Sequence, residues 1–292
     1  MRAFLFPGQG SQKVGMDAGL SRRRFEEADE ALGFKLSKII SDGPEPELTR
    51  TQHTQPAILT VSIAYADMLK QRGVVAEVAA GHSLGEYSAL VYAGALTFAD
   101  AVRLVHLRGK FMQEAVPEGF GGMAAIIGLD ASTVADTCRE ASHDESDACQ
   151  PANFNGAGQV VIAGHKSAVD RAMALAKQKG AKMVKALTVS APFHSKLMEP
   201  AADRLRAELE RVKIEPLSIP VVANVDAAPN SDAARVKELL FQQVTGSVRW
   251  EESVQKLVAM GVDEAFEVGP GNVLAGLIKR IAPSVKMGAL NG

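Results

Sequence analysis

Cysteine is scarce in this chain. Cys138 and Cys149 are the only two in 292 residues, and they form no C-x-x-C. This argues against a disulfide framework and against a structural zinc or other metal site. Both read as reduced thiols, and the compartment expected is the cytoplasm. Long apolar runs are also lacking. None approaches the ~18 uninterrupted residues of a membrane span, so no membrane partner is expected. The apolar part of Met1 to Pro7 is too short for a signal-peptide core and reads as a first strand. Nor does one sign of charge dominate. A net charge of −2 gives no reason to expect nucleic acid. Arg22-Arg23-Arg24 is followed at once by Glu26, Glu27, Asp29 and Glu30, the pattern of a solvated helix face. There is no internal repeat and no low-complexity tract.

What the chain does have is apolar residues, 47% of the total, enough for a substantial core in one large or two ordinary domains. Phe4 to Phe6 predicts a strand, broken by Pro7 and the loop Gly8 to Gln12. Residues 14–40 read as helical with an interruption at Gly33. Thr54-Gln55-Pro56 opens an apolar helix with Pro56 in its first turn. A strand from Val74 to Ala80, a turn at Ser83 and a helix from Glu86 follow. Thr97 and Asp100 form a capping box for the next helix. Near Gly119 the texture changes. Strands and helices then alternate as β-α-β-β-α-β up to Leu187, the ferredoxin-like order. After Pro192 the first texture returns. The expectation is an α/β fold in which residues 1–118 and 197–292 form a large subdomain and 119–196 a small inserted one.

The most informative run is Gly81-His82-Ser83-Leu84-Gly85. G-x-S-x-G between a strand and a helix is the setting of a nucleophilic serine on a sharp turn. The plainer alternative is a Gly-Ser loop feeding a helix. A serine hydroxyl needs a base within hydrogen-bond reach, and six histidines are available. His143 lies in a polar acidic stretch, and His106 sits in an amphipathic helix. His82 adjoins Ser83, where side chains usually diverge. His194 lies in a proline-marked loop, a favoured setting for a catalytic group. An oxyanion needs N–H donors; Leu84 follows the serine and the Gly8-Gln9-Gly10 loop could supply another. That loop also reads as an ordinary glycine turn. Arg108 falls on the apolar side of its helix, so it needs a partner: a core acid, or a carboxylate on a substrate.

Eight motifs stand in order along the chain: FPGQGSQ (6–12), TQPA (54–57), GHSLGEYSAL (81–90), RG..MQ (108–113), ANFN..GQVVIAG (152–164), APFHS..M.P (191–200), VRW..SV (248–254) and EVGPG.VL.GL.KR (267–280). Together they resemble the malonyl-CoA:acyl carrier protein transacylase family nearly end to end. The resemblance implies an α/β-hydrolase-like large subdomain with a ferredoxin-like insert. It implies Ser83 as the acylated nucleophile, His194 as general base and Gln9 and Leu84 as oxyanion donors. Arg108 would hold the malonyl carboxylate. The backbone carbonyl of Gln243 would orient His194 in place of a third acid. His82 would be supportive, and Asn153 and Asn155 would belong to an insert loop near the acyl site. Phe193, before the histidine, would favour malonyl over bulkier acyl groups. Ala157 and Ser247 stand where the family often has proline, which bears on loop stiffness more than on chemistry.

The resemblance further implies malonyl-CoA as substrate, no permanently bound cofactor, acyl carrier protein as partner and a monomer. Lys177, Lys179, Lys182 and Lys185 are a candidate docking surface for an acidic carrier. Three rivals share these residues: a polyketide acyltransferase, an acyl-thioester hydrolase and a non-enzymatic carrier-binding module.

Overall fold

Strand β1 (Arg2–Phe6) sends Phe4 and Phe6 into one core and Ala3 and Leu5 into another. That alternation marks a strand covered on both faces. The computed structural model describes residues 1–189 and 191–290, so the last two residues of the expected 197–292 segment lie outside the described residues. Helices α1 (Arg23–Leu32) and α2 (Leu36–Asp42) flank the break expected at Gly33 in the stretch 14–40, helix begins only at Arg23, and a short α3 (Glu45–Thr49) follows. Gly15 and Gly19, with φ of 80° and 77°, keep the chain in turns before Arg23.

Helix α4 (Thr51–Gln71) is buried on nearly every side. It starts at Thr51 rather than Thr54, so Pro56 stands inside the helix and not in its first turn. A proline cannot donate to the carbonyl four residues back. His106 Nδ1 takes over that carbonyl, Gln52 O, at 2.9 Å. Strand β2 (Val78–Gly81) is shorter than the sequence suggested, because Val74 N–H returns to Leu69 O and closes α4. Helix α5 (Leu84–Tyr92) follows, then α6 (Phe98–Glu114), capped by Thr97 Oγ1 accepting from Asp100 N–H at 3.1 Å.

The next six elements are β3 (Gly121–Ile127), α7 (Ala131–Ala141), β4 (Cys149–Gly156), β5 (Gln159–His165), α8 (Lys166–Gln178) and β6 (Met183–Ala186). They build a four-stranded antiparallel sheet in the order β4-β5-β3-β6. One face, with Ala124, Ile126 and Ile162, packs on α7 and α8. The other, with Met123, Ala125 and Val161, packs toward Leu187 and Phe193.

The chain then returns through α9 (Glu199–Arg211), β7 (Val221–Val222), β8 (Pro229–Asn230), α10 (Ala233–Thr245), α11 (Trp250–Ala259), β9 (Glu264–Glu267), α12 (Val273–Ile281) and β10 (Lys286–Gly288). The six-stranded sheet has the order β10-β9-β1-β2-β7-β8, parallel except at β7–β8. The two sheets are joined by backbone. Phe154 N–H donates to Val248 O and Val248 N–H to Ala152 O, both at 2.9 Å. Among the described residues no helix is long and apolar enough to cross a membrane.

Candidate active site

The carboxyl ends of β1, β2 and β7 converge, the usual place for a site on a parallel sheet. Ser83 links β2 to α5 at φ 51° and ψ −106°. A non-glycine residue held there stores strain of ~1–3 kcal/mol. The two flanking glycines allow the close approach. A Cβ on Gly81 would overlap the Gly85 backbone, and one on Gly85 would overlap Phe6 O. Side chains from distant segments hold the strained unit. Ser83 N–H donates to Asn224 Oδ1 at 2.7 Å, and Gln243 Nε2 donates to Ser83 O at 3.0 Å.

His194 Nε2 lies 2.7 Å from Ser83 Oγ. Its residue is also at positive φ, 58°. Nδ1 faces Gln243 O at 2.8 Å and Gly246 O at 3.1 Å. Carbonyl oxygens only accept, so Nδ1 carries the ring proton and Nε2 accepts from the serine hydroxyl. Burial, followed by the charge of Arg108, pushes His194 down to about 3. It is therefore a neutral base at neutral pH, oriented by carbonyls and not by a carboxylate.

Arg108 is buried on α6. Nη1 donates to Gln55 Oε1 at 2.8 Å. Nη2 donates to Gln243 Oε1 at 2.9 Å and to Ser83 Oγ at 3.1 Å. Every one of these partners is neutral, and Nε has no partner among the described residues. The Tyr87 ring lies 5.5 Å from the guanidinium carbon. The nearest acid, Glu86, acts on it only at a distance, and a buried cation with no acid in direct contact is prepared for an anion from outside.

These groups open on a cavity of about 520 Å³, lined by Gln9, His82, Ser83, Leu84, Arg108, Asn153, Asn155, Phe193 and His194. The backbone N–H groups of Gln9 and Leu84 donate to no other described residue, so both are available to an oxyanion. His82 Nε2 meets Asn155 Oδ1 at 2.9 Å, and its ring packs against Trp250. Burial pulls the His82 pKa down. Asn153 and Asn155 sit on β4, not in a loop. Phe193 is half-buried on the cavity wall, and Gln243 stands behind it.

Residues 3–288 match the acyl transferase domain model. The malonyl CoA-acyl carrier protein transacylase of Salmonella typhimurium is 51% identical over 99% of this chain and 95% of its own. A crystal structure of an acyl carrier protein S-malonyltransferase from Vibrio cholerae superposes with a TM-score of 0.95 at 46% identity, covering 98% of this chain and 95% of that one. The chain belongs to the malonyl CoA-acyl carrier protein transacylase family of acyltransferases. A further similar structure is a malonyl-transacylase in complex with its type II PKS acyl-carrier protein, with 45% identity, a TM-score of 0.95 and coverage of 98% and 94%.

For this acyltransferase the structure brings together every site residue singled out in the sequence. It adds three that were not: Gln55, Glu86 and Asn224. Gln55 and Glu86 lie inside motifs already noted, and a polar residue within an apolar helix was the available signal for Gln55. Asn224 follows a two-residue strand and carried no signal. Lys177, Lys179, Lys182 and Lys185 lie outside the cavity lining, and Lys179 pairs with Glu140 at 2.6 Å. Among the described residues no cluster of three or more metal-ligating side chains occurs.

Proposed function

We propose that this protein transfers the malonyl group of malonyl-CoA to the phosphopantetheine thiol of acyl carrier protein through a malonyl-Ser83 ester, in fatty acid synthesis. The observation that carries this is the meeting of three groups at one oxygen. Ser83 Oγ lies 2.7 Å from the His194 base and 3.1 Å from a buried guanidinium whose direct partners are all neutral. A nucleophile beside a buried guanidinium suits an acyl group with a free acid end.

His194 takes the hydroxyl proton as Ser83 Oγ attacks the thioester carbonyl. The oxyanion accepts from the Gln9 and Leu84 N–H groups. Coenzyme A leaves with the proton, and the carrier thiol then attacks the ester with the same base. The malonyl carboxylate on Arg108 neutralises the charge that helps to hold His194 down, so the correct substrate strengthens its own base. No step requires a resident cofactor. Phe193 narrows the space at the malonyl α-carbon. The same proposal divides the chain into a hydrolase-like part, 1–118 and 197–292, and a ferredoxin-like insert, 119–196. The insert assignment is supported by its strand order. A soluble cytoplasmic monomer is the form proposed.

A second carrier is favoured by one observation, the likeness to a transacylase bound to a type II PKS carrier. Incubation with malonyl-CoA and a purified carrier, followed by intact-mass analysis of both proteins, tests the function. One malonyl group should appear on this protein, then on the carrier. A folded protein that gains no malonyl group overturns it. Rate comparison between a fatty acid carrier and a polyketide carrier separates the two partners.

A further inference from the structure

Glu86 is a buried acid that the transfer steps above do not use. It sits in the first turn of α5, 2% exposed. A carboxyl group is costly to bury unless its oxygens accept hydrogen bonds. Here one oxygen, Oε2, accepts twice: from Gln243 Nε2 at 2.7 Å and from Asn224 N–H at 3.0 Å. Both donors belong to residues that touch the reacting centre. Asn224 Oδ1 holds Ser83 N–H, and its Nδ2 donates to Gly81 O at 2.7 Å. Gln243 holds Ser83 O with the same Nε2, holds Arg108 with Oε1, and orients His194 through its own carbonyl.

The chemistry of an amide makes this arrangement directional. One end of the Gln243 side chain only donates and the other only accepts. An acceptor at Glu86 fixes the NH₂ end toward α5, which leaves the oxygen for the guanidinium. Turned over, the same amide would present NH₂ to Arg108 and an oxygen to the Glu86 and Ser83 oxygens. Glu86 therefore acts with Ser83 O and the Arg108 guanidinium to set which way the amide faces, and its bond to the amide is the shortest of the three.

We infer, on the malonyl-transfer function proposed above, that Glu86 is a positioning residue: through Asn224 and Gln243 it holds the strained backbone of Ser83 and the guanidinium of Arg108 as one unit. It touches neither substrate nor the reacting oxygen. Its effect reaches both the nucleophile, at the start of α5, and the carboxylate clamp on α6, which also touch directly through Arg108 Nη2 and Ser83 Oγ at 3.1 Å.

The test is single-turnover acylation by malonyl-CoA and by acetyl-CoA, with each rate expressed per acylatable site. A purely structural defect would lower the number of acylatable sites and leave the rate per site unchanged. Glu86→Ala should slow acylation per site by about 10²-fold, the scale of a small misplacement at a reacting centre. It should also shrink the preference for malonyl over acetyl. Glu86→Gln retains an acceptor oxygen and should stay within about tenfold of the unmodified protein. Should the alanine variant not fold, Glu86→Asp, which withdraws the oxygen by one methylene, should show the same two losses. The inference is overturned if a folded Ala or Asp variant keeps the unmodified rate and preference, or if Gln is as slow as Ala. Absence of any malonyl adduct on the unmodified protein overturns the proposed function, and this inference with it. An adduct there, with an unaffected Glu86→Ala, overturns this inference alone.

Discussion

The cavity has two unlike walls. On the parallel-sheet side, each reacting group is fixed by buried partners from distant segments: Ser83 by Asn224 and Gln243, and Arg108 by Gln55 and Gln243. On the antiparallel side the wall is mostly apolar: Met123, Val161, Leu187 and Phe193, with the amides of Asn153 and Asn155. His194 enters between them, on the chain returning from the small sheet, and is gripped by carbonyls at the end of α10. The two walls divide the labour. Proton transfer and charge need fixed directions and sit where long-range side-chain bonds supply them. Fit to the acyl group needs shape, and an apolar sheet face supplies that.

If the division is right, damage to the first wall slows transfer greatly, while damage to the second leaves the rate nearly intact and falls on acyl fit or local stability. His194→Ala should slow acylation by roughly 10²–10⁴-fold, the usual span for a general base; near-normal single-turnover rates would place the base elsewhere. Arg108→Ala removes a buried charge partner and should cost malonyl transfer about 10²-fold or more, with acetyl transfer losing much less. Equal losses for the two acyl groups would remove the clamp. On the other wall, Phe193→Ser should raise methylmalonyl relative to malonyl transfer by about tenfold, since a methyl group is worth ~1–3 kcal/mol in an apolar pocket. An unchanged ratio in competition assays would take selection away from the ring. Asn155→Ala strands His82 Nε2 and should cost ~1–3 kcal/mol in denaturant unfolding, with acylation nearly intact.

The smallest effect is one of pH, and it contrasts two groups on the same side. His194 is pushed down to about 3, below the ordinary ~6.5 of the unfolded chain. Between those values the unfolded chain binds a proton that the folded chain refuses, so stability falls as pH drops. Burial pushes Glu86 up to about 7 from 4.5. The folded chain then holds the extra proton, so stability falls as pH rises through that window. The two slopes oppose each other in the unmodified protein. In His194→Gln the His194 slope is lost while the Glu86 slope remains, so from about pH 5 to about pH 7 the melting temperature of the variant should fall relative to that of the unmodified protein. Parallel curves for the two proteins would reject the opposing assignment.

Much of this was legible in the sequence because the signals were local. Ser83 combines a short motif with a strand before it and a helix after it. Arg108 betrays itself by breaking an apolar stripe, and the capping box at Thr97 is a four-residue pattern. What was hidden depends on contacts made far along the chain. Asn224 meets Ser83 across 141 positions and Gln243 meets Glu86 across 157, and no periodicity reports such pairings. The start of α4 was misplaced because proline is normally a boundary, and only His106, reaching in from α6, makes its interior position tolerable. The short strands β8 and β10 owe their existence to neighbours, not to patterns of their own.

Val248 is stitched by its amide and its carbonyl to neighbours on either side of Asn153. The free edge of the smaller sheet is thus sewn into the main body, and the chamber cannot gape like a jaw without tearing main-chain bonds. Cargo must thread in lengthwise through the mouth. A slender thioester arm passes such an opening, and a folded carrier has to wait outside and extend its own.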